Sequence, residues 1–409
     1  LDHYAVDLYE DSGRNSSGGK LGYDLSILEN QSIIARQGNV RELSFHEIRN
    51  GITSPIVSPT NGTPTLIVSD DSGYETILRS LSLTGITSQE LIPVKGPQNI
   101  NALTKNQLAQ FNMLILYRFK GEGWKEIQRF IERGGKIYIE LDAGNKSFST
   151  TPDFFPVTSI ETTEINGQWS PQIIKKTDLT ENIKTENFAP FVYEGGPWRL
   201  SISPKEDIRP WAEPVLAHGD SVVFSQGTFG KGTIILSGFN LPYHIIANQN
   251  FDEVKLFKNS ISSLMGNQNI EKPTFEIQRS IPEKITVTGK NMKGVYFKEN
   301  YHSGWMATVY PEGNRRMNGK QVPIYKAGLD FMYVPLLKAI NNKSQQIVLS
   351  FNGSLTSWLF FGLSSFSLLL AMLYLIIPHP FHALHKHTQH HIKHKVVNKV
   401  NTWWQKEEE

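Results

Sequence analysis

Cysteine is absent from all 409 residues. That excludes disulfides, thiolate metal sites and a cysteine nucleophile together. It also fits an extracytoplasmic location, where exported chains often avoid free thiols. An excess of one charge is lacking too. With 41 Lys and Arg against 39 Asp and Glu, the net charge is +2, and nothing in that balance points to a nucleic-acid partner. Long apolar runs are scarce. At 39% hydrophobic and 20% charged residues, the composition is that of a globular protein of two or three domains.

One stretch departs from it. Trp358 to Ile377 reads WLFFGLSSFSLLLAMLYLII and carries no charge. As a helix it reaches about 30 Å, the thickness of a bilayer's hydrocarbon core. Its Ser364, Ser365 and Ser367 can return their hydroxyls to helix carbonyls, and Trp358 and Tyr374 sit near its ends as interfacial anchors. The pattern predicts one C-terminal transmembrane helix over 355–378, a buried helix of a soluble domain being the alternative. Lys386, Lys393, Lys395, Lys399 and Lys406 follow it, while Gln345 to Thr356 is uncharged. The positive-inside rule then places residues 1–355 outside the cell and the tail, 379–409, in the cytoplasm. The expected partners are the lipid bilayer and other membrane-protein subunits or upstream spans. The chain opens at Leu1 without a basic or apolar leader. The expectation is therefore a removed signal peptide or a longer, multi-spanning protein upstream.

Two further features belong to this reading. Sequons at Asn15, Asn30, Asn61, Asn145, Asn342 and Asn352 all precede the apolar stretch and are the expected glycosylation sites, which keeps a cell-surface structural protein in view. In the tail, His387, His391 and His394 share one helix face at a spacing suited to zinc or nickel. The competing reading makes Ile392, Val396, Val400 and Trp403 the apolar stripe of an interfacial helix, held by Lys charge and by Trp403 and Trp404. No cofactor is expected.

Residues 1–60 read as an N-terminal arm, Gly- and Ser-rich from Ser12 to Tyr23. From Thr65 the pattern alternates. Thr65–Ser69, Leu91–Val94, Met113–Phe119 and Lys136–Leu141 are apolar runs of strand length, and Tyr74–Leu83, Leu103–Gln110 and Gly123–Arg133 have helical spacing. This predicts an α/β domain over 61–268 with a mostly parallel sheet. An insertion of loops and short strands occupies 145–210. Strands resume at Pro214–Leu216, Ser221–Gln226 and Gly232–Gly238, and a helix over Phe251–Leu264 closes the domain. Short strands between turn signals over 269–354 predict a small antiparallel β-sandwich.

The segment Pro214-Val-Leu-Ala-His-Gly-Asp220, then Gly227-Thr-Phe-Gly-Lys-Gly-Thr-Ile-Ile-Leu-Ser-Gly-Phe-Asn240, then a helix with Asn259 and Leu264, resembles the end of class I glutamine-amidotransferase-like domains. The resemblance implies a flavodoxin-like parallel sheet. In that family a nucleophilic Cys follows a strand that begins after a Gly-Gly helix end. The matching turn here, after Gly134-Gly135-Lys-Ile-Tyr-Ile-Glu140, offers Leu141, Asp142 and Ala143, and His244 is followed by Ile245 and Ile246 rather than by a His-x-Glu pattern. Acyl transfer therefore lacks both nucleophile and base. A second resemblance lies in Val295-Tyr-Phe-Lys-Glu-Asn-Tyr-His-Ser-Gly-Trp305, Ala327-Gly328 and Phe331-Met-Tyr-Val-Pro335. These look like the close of YfhO-like multi-spanning proteins, relatives of lipid-carrier-dependent (GT-C type) glycosyltransferases, whose catalytic loop would lie outside this chain.

Asp70, Asp71 and Ser72 follow the first strand of the alternating region, where doubly wound sheets bind ligands. With Asp142 they make a candidate site for a cation or for sugar hydroxyls, the competing role being a turn and helix cap. Trp169, Trp198, Trp211 and Trp305, with Phe154, Phe155 and Tyr193, are either stacking platforms for glycans or core. The expected function is a membrane-anchored, extracytoplasmic, non-catalytic binding or assembly module. The alternative is the C-terminal part or a subunit of a membrane glycosyltransferase.

Overall fold

The structure, a computed structural model, describes residues 57–87, 90–141, 150–169, 171–192, 196–266, 274–281, 283–311, 319–336, 344–353 and 355–376. Among the described residues, those of 57–302 and 306–350 form one compact unit, and those of 303–305 and 351–376 belong to a second. Strands β1 (Val57–Thr60) and β2 (Thr63–Val68) lead to α1 (Asp71–Thr84), β3 (Leu91–Lys95), α2 (Lys105–Leu108), β4 (Met113–Tyr117), α3 (Lys125–Glu132) and β5 (Lys136–Glu140). Then come β6 (Glu161–Ile165), β7 (Gln172–Ile173), β8 (Trp198–Pro204), β9 (Ala212–His218), β10 (Ser221–Phe229), β11 (Gly232–Ser237), α4 (Leu241–Asn248) and α5 (Phe251–Met265). The C-terminal part carries β12 (Thr274–Ile281), β13 (Lys284–Lys290), β14 (Gly294–Phe297), β15 (Trp305–Pro311), β16 (Lys320–Val322), β17 (Tyr325–Ala327), β18 (Phe331–Pro335), β19 (Gln345–Phe351) and α6 (Leu355–Ile376).

Five strands, ordered β3-β2-β4-β5-β11, are parallel and form the middle of the large sheet. Taken by order of appearance, that is 2-1-3-4-5, the order of open doubly wound sheets of flavodoxin type. The strands are apolar on both faces because both faces are covered. Leu66, Val94, Leu114, Leu116, Ile137 and Ile139 pack with Phe130 and Ile131 of α3, whereas Ile67, Ile115, Tyr138 and Ile235 pack on the other face with residues of α1, α4 and α5.

The expected fold class holds only in this middle part. The sheet is mixed, not mostly parallel: β10 pairs antiparallel with β11 and carries β8, β9 and, through them, β6 and β7. The residues expected to build a separate sandwich divide between two sheets. Strands β14, β17 and β18 extend the large sheet beyond β3, and β12, β13, β15, β16 and β19 form a five-stranded antiparallel sheet. The physical reason lies at the edge of β3, where a buried parallel strand needs a neighbour. Ala327 pairs with Val94, and Gly328 donates its N–H to the carbonyl of Pro93. Tyr74 of α1 places its hydroxyl 3.0 Å from the carbonyls of both Pro93 and Gly328, which ties helix, strand and C-terminal hairpin at one atom. Burial pushes this phenol well above its ordinary pKa, so it stays a donor. Strand β1, the described end of the expected arm, pairs antiparallel with β14.

The predicted transmembrane helix is corrected as well. Among the described residues no helix is long and apolar enough to cross a membrane. Helix α6 covers Leu355–Ile376 of the apolar stretch. The side chains of Trp358 and Tyr374, and residues Trp403 and Trp404, lie outside the described part. Without a span, the assignment of 1–355 to the extracytoplasmic side and of the tail to the cytoplasm has no structural basis, and neither has the membrane anchor.

A close approach tests the sheet's right-hand half. Gly238 leaves β11 against β8, where Ser201 donates its backbone N–H to the Gly238 carbonyl, and a Cβ on Gly238 would run into the Ser201 carbonyl oxygen. Gly238→Ala is expected to destabilise the fold by about 2 kcal/mol or more, as overpacking does, read from the urea midpoint. An unchanged midpoint would show that the two backbones do not meet as described.

Candidate functional site

The carboxyl edge of the parallel strands holds the buried Ser69, Glu140 and Ser237. At the switch point between β2 and β4, where the strand order reverses, a crevice is the ordinary place for a ligand. Here Arg118, in the left-handed region at φ 49°, occupies it. Its guanidinium lies 3.5 Å from Asp70 Oδ2 and 3.1 Å from Ser72 Oγ. Asp70 is also the N-cap of α1, its Oδ1 accepting the Gly73 N–H at 2.6 Å. Asp71 points outward and pairs with Lys95 at 3.3 Å. Lys95 in turn donates to the Ser69 carbonyl at 2.7 Å. Burial lowers its pKa, and the hydrogen bond and charge of Asp71 work in the opposite direction. The candidate carboxylates therefore face two cations, and the pair is already neutralised. Asp70 is found in the competing role of helix cap, while Asp71 and Ser72 are engaged by Lys95 and Arg118. Asp142 lies outside the described residues.

Next to this crevice stands a carboxyl that the sequence reading passed over. Glu140 ends β5 and is fully buried. Its Oε2 accepts from the Tyr138 hydroxyl at 2.7 Å, and its Oε1 accepts from the Ser237 hydroxyl at 2.9 Å and from the Asn240 N–H at 2.8 Å. Asn240, left-handed at φ 56°, opens α4, and its Oδ1 accepts the Tyr117 hydroxyl at 2.7 Å. Burial raises the Glu140 carboxyl from 4.5 to about 7, against the pull of hydrogen bonds from Tyr138, Ser237 and the backbone of Asn240 and Leu241. An acidic residue ending an otherwise apolar strand was the available signal.

His244 was expected to have no acidic partner in His-x-Glu spacing. It finds one nine residues later: His244 Nδ1 lies 2.8 Å from Glu253 Oε2, and both side chains are fully buried. Glu253 Oε1 accepts the Ala189 N–H at 2.9 Å. The imidazole packs against Phe191 and Trp198, with ring centroids at 4.4 and 4.9 Å. Among the described residues its Nε2 has no partner, and no nucleophile stands beside it in that aromatic wall. The pair fastens the insertion to α5. So do Asp252, which accepts from the Lys184 N–H and the Asn187 amide, and Asn250, which donates to the Asn187 carbonyl.

The remaining candidates fall apart as sites. Trp169, Trp198, Phe154 and Phe155 are core, Trp211 and Trp305 are half-buried, and Tyr193 lies outside the described residues. Asn61 is buried, and its Oδ1 accepts the Lys293 N–H. Asn352 is exposed, whereas Asn15, Asn30, Asn145 and Asn342 lie outside the described residues, as do His387, His391 and His394. Among the described residues no group of three or more His, Cys, Asp or Glu is placed to hold a metal ion.

No family model matches the chain, and no curated protein matches it. Among solved structures, a cytoplasmic protein, STM3548, from Salmonella typhimurium is 10% identical, with 49% of this chain and 97% of that one covered at a TM-score of 0.36. A beta-galactosidase from Bacillus circulans sp. alkalophilus is 11% identical over 78% of this chain and 44% of its own, at 0.28. An exo-beta-1,4-mannosidase, Op5Man5, from Opitutaceae bacterium strain TAV5 is 12% identical over 57% and 38%, at 0.28. At these TM-scores the likenesses carry no argument about fold or function.

The Glu140 carboxyl gives stability a pH dependence of definite sign. Its folded pKa of about 7 lies above the ordinary 4.5, so the folded state holds a proton the unfolded state has lost. Stability from this group is complete below about 4.5, is lost as pH rises to about 7, and amounts to roughly 3 kcal/mol. Urea unfolding of native protein and of Glu140→Gln across pH 4.5–8 is expected to show the native protein losing stability relative to the variant. Parallel profiles would mean that the carboxyl is ionised in the fold.

Proposed function

We propose that the chain is a binding or assembly module in which an amidotransferase-like α/β core serves as scaffold, not as an acyl-transfer centre. One observation carries the reading: the acidic side chains at the carboxyl edge are each held by a neighbour. Asp70 caps α1 and faces Arg118, Asp71 faces Lys95, and Glu140 accepts from Tyr138, Ser237 and Asn240. Acyl transfer needs an activated nucleophile within reach of a base that can gain and lose a proton at the surface of a cleft. The His244–Glu253 pair has the chemistry of a base and its orienting acid, but it is fully buried among aromatic rings. An edge whose acidic side chains are already engaged in this way suits a scaffold, since those carboxyls satisfy neighbours before any substrate does.

The test is direct. Release of ammonia from glutamine and of nitrophenol from nitrophenyl esters is expected to stay at the buffer rate with the full chain between pH 5 and 9. Turnover above that rate, abolished by His244→Gln in a variant that keeps its circular dichroism and unfolding midpoint, would replace the scaffold reading with an enzymatic one.

A further inference from the structure

The opposite edge of the parallel sheet, where the strands begin, has the reverse electrostatics. A cavity of about 670 Å³ opens there between the starts of β2, β4 and β5 and the ends of α2, α3 and α5. This volume is in the range of small-molecule sites, roughly 300–1,000 Å³. Among the described residues three cations line it, Arg133 and Lys136 on either side of Gly134-Gly135 and Lys293 from the turn before β14, and no Asp or Glu does. Among the described residues none of the three makes an ion pair. The contrast with the carboxyl edge is direct: there Asp70 and Asp71 each face a cation, whereas here the positive charge is unanswered.

Helix ends supply part of the answer. Arg133 caps α3, its Nε donating to the Arg129 carbonyl, and the Lys136 ammonium lies beside Gly266, the cap of α5. Two helix carboxyl ends are worth about half a negative charge each, which leaves a surplus of about two positive charges in one concavity. A concave wall focuses that field and favours a small dianion. The rest of the lining is apolar, with Leu108, Phe111, Phe130 and Leu264 among it, and Asn112 and Thr63 add neutral polar groups. Glycine keeps the floor open: Gly134 turns out of α3 at φ 103°, and a Cβ on Gly135 would run into the Phe130 ring.

We infer that this cavity binds a phosphate monoester carried on a small apolar or planar body, with the phosphate among Arg133, Lys136 and Lys293 and the body against Phe111 and Phe130. The site is separate from the carboxyl edge and stands whether or not that edge is chemically silent. Phenyl phosphate is the probe, with inorganic phosphate and phenol as the two halves of its chemistry. Calorimetric titration of the full chain is expected to show saturable binding of phenyl phosphate, weaker binding of inorganic phosphate and none of phenol. Affinity should fall as salt rises. The triple variant Arg133→Met, Lys136→Met, Lys293→Met is expected to lose at least tenfold in affinity. Lys293→Met alone, at an exposed turn, keeps the fold in reach should the triple variant unfold, and is expected to lose severalfold. Absence of phenyl phosphate binding, binding as strong for phenol, or affinity unchanged in either folded variant would overturn the assignment.

Discussion

A carboxyl with no access to water fixes the geometry of the large sheet. Glu140 sits where β5, β11 and α4 meet, and its two oxygens answer hydroxyls from Tyr138 and Ser237 and the first N–H groups of a helix. Those helix N–H groups have no partner within their own helix, and buried polar groups left unpaired cost about 1–3 kcal/mol each. Asn240 must turn through the left-handed region to bring them to Glu140, and Tyr117 at the end of β4 holds its side chain in place. Three parallel strands and the helix that covers them are thereby registered by one side chain. Burial disfavours its charged form and outweighs these donors, which favour the carboxylate, so its pKa is raised.

The same logic of satisfied and unsatisfied charge separates the two edges of the sheet. At the carboxyl edge each candidate acid has a cation or a backbone donor, so the crevice that topology provides is filled by Arg118. At the amino edge the charges come from a helix cap, the start of β5 and a turn, which stand around a cavity with apolar walls. Topology alone favours the first place for a ligand; the charge distribution favours the second.

The chain's later strands complete the core instead of forming a body of their own. β17 and β18 meet β3 through one bridge and the Tyr74 hydroxyl, and β14 is covered in turn by β1 from the other end of the chain. The insertion is treated alike: α5 presents Asp252 and Glu253 to backbone and amide groups of residues 184–189. In both cases a segment distant in sequence supplies partners that a buried strand edge or a loop cannot find locally.

Apolar runs such as Thr65-Leu-Ile-Val-Ser69 and Met113-Leu-Ile-Leu-Tyr117, separated by helical spacing, were sufficient by themselves for the parallel middle of the sheet, because a strand covered on both faces must be apolar at every position. Asp70 as a helix cap was equally local, a side chain three residues from the N–H it accepts. Other features came from contacts that sequence does not order. Glu140 reaches Ser237 and Asn240 about a hundred residues away, and His244 meets an acid on the next helix, off the expected spacing. Likewise the alternating strands after residue 269 have the right period for a sandwich, but period fixes only which face is apolar, not which sheet the strand joins. Composition and periodicity thus determined the local elements and their caps, whose energetics lie within a few residues. Tertiary structure alone decided the mixed sheet, the buried carboxyl and the cationic cavity, since each depends on charges and hydrogen-bonding groups brought together only when distant strands pair.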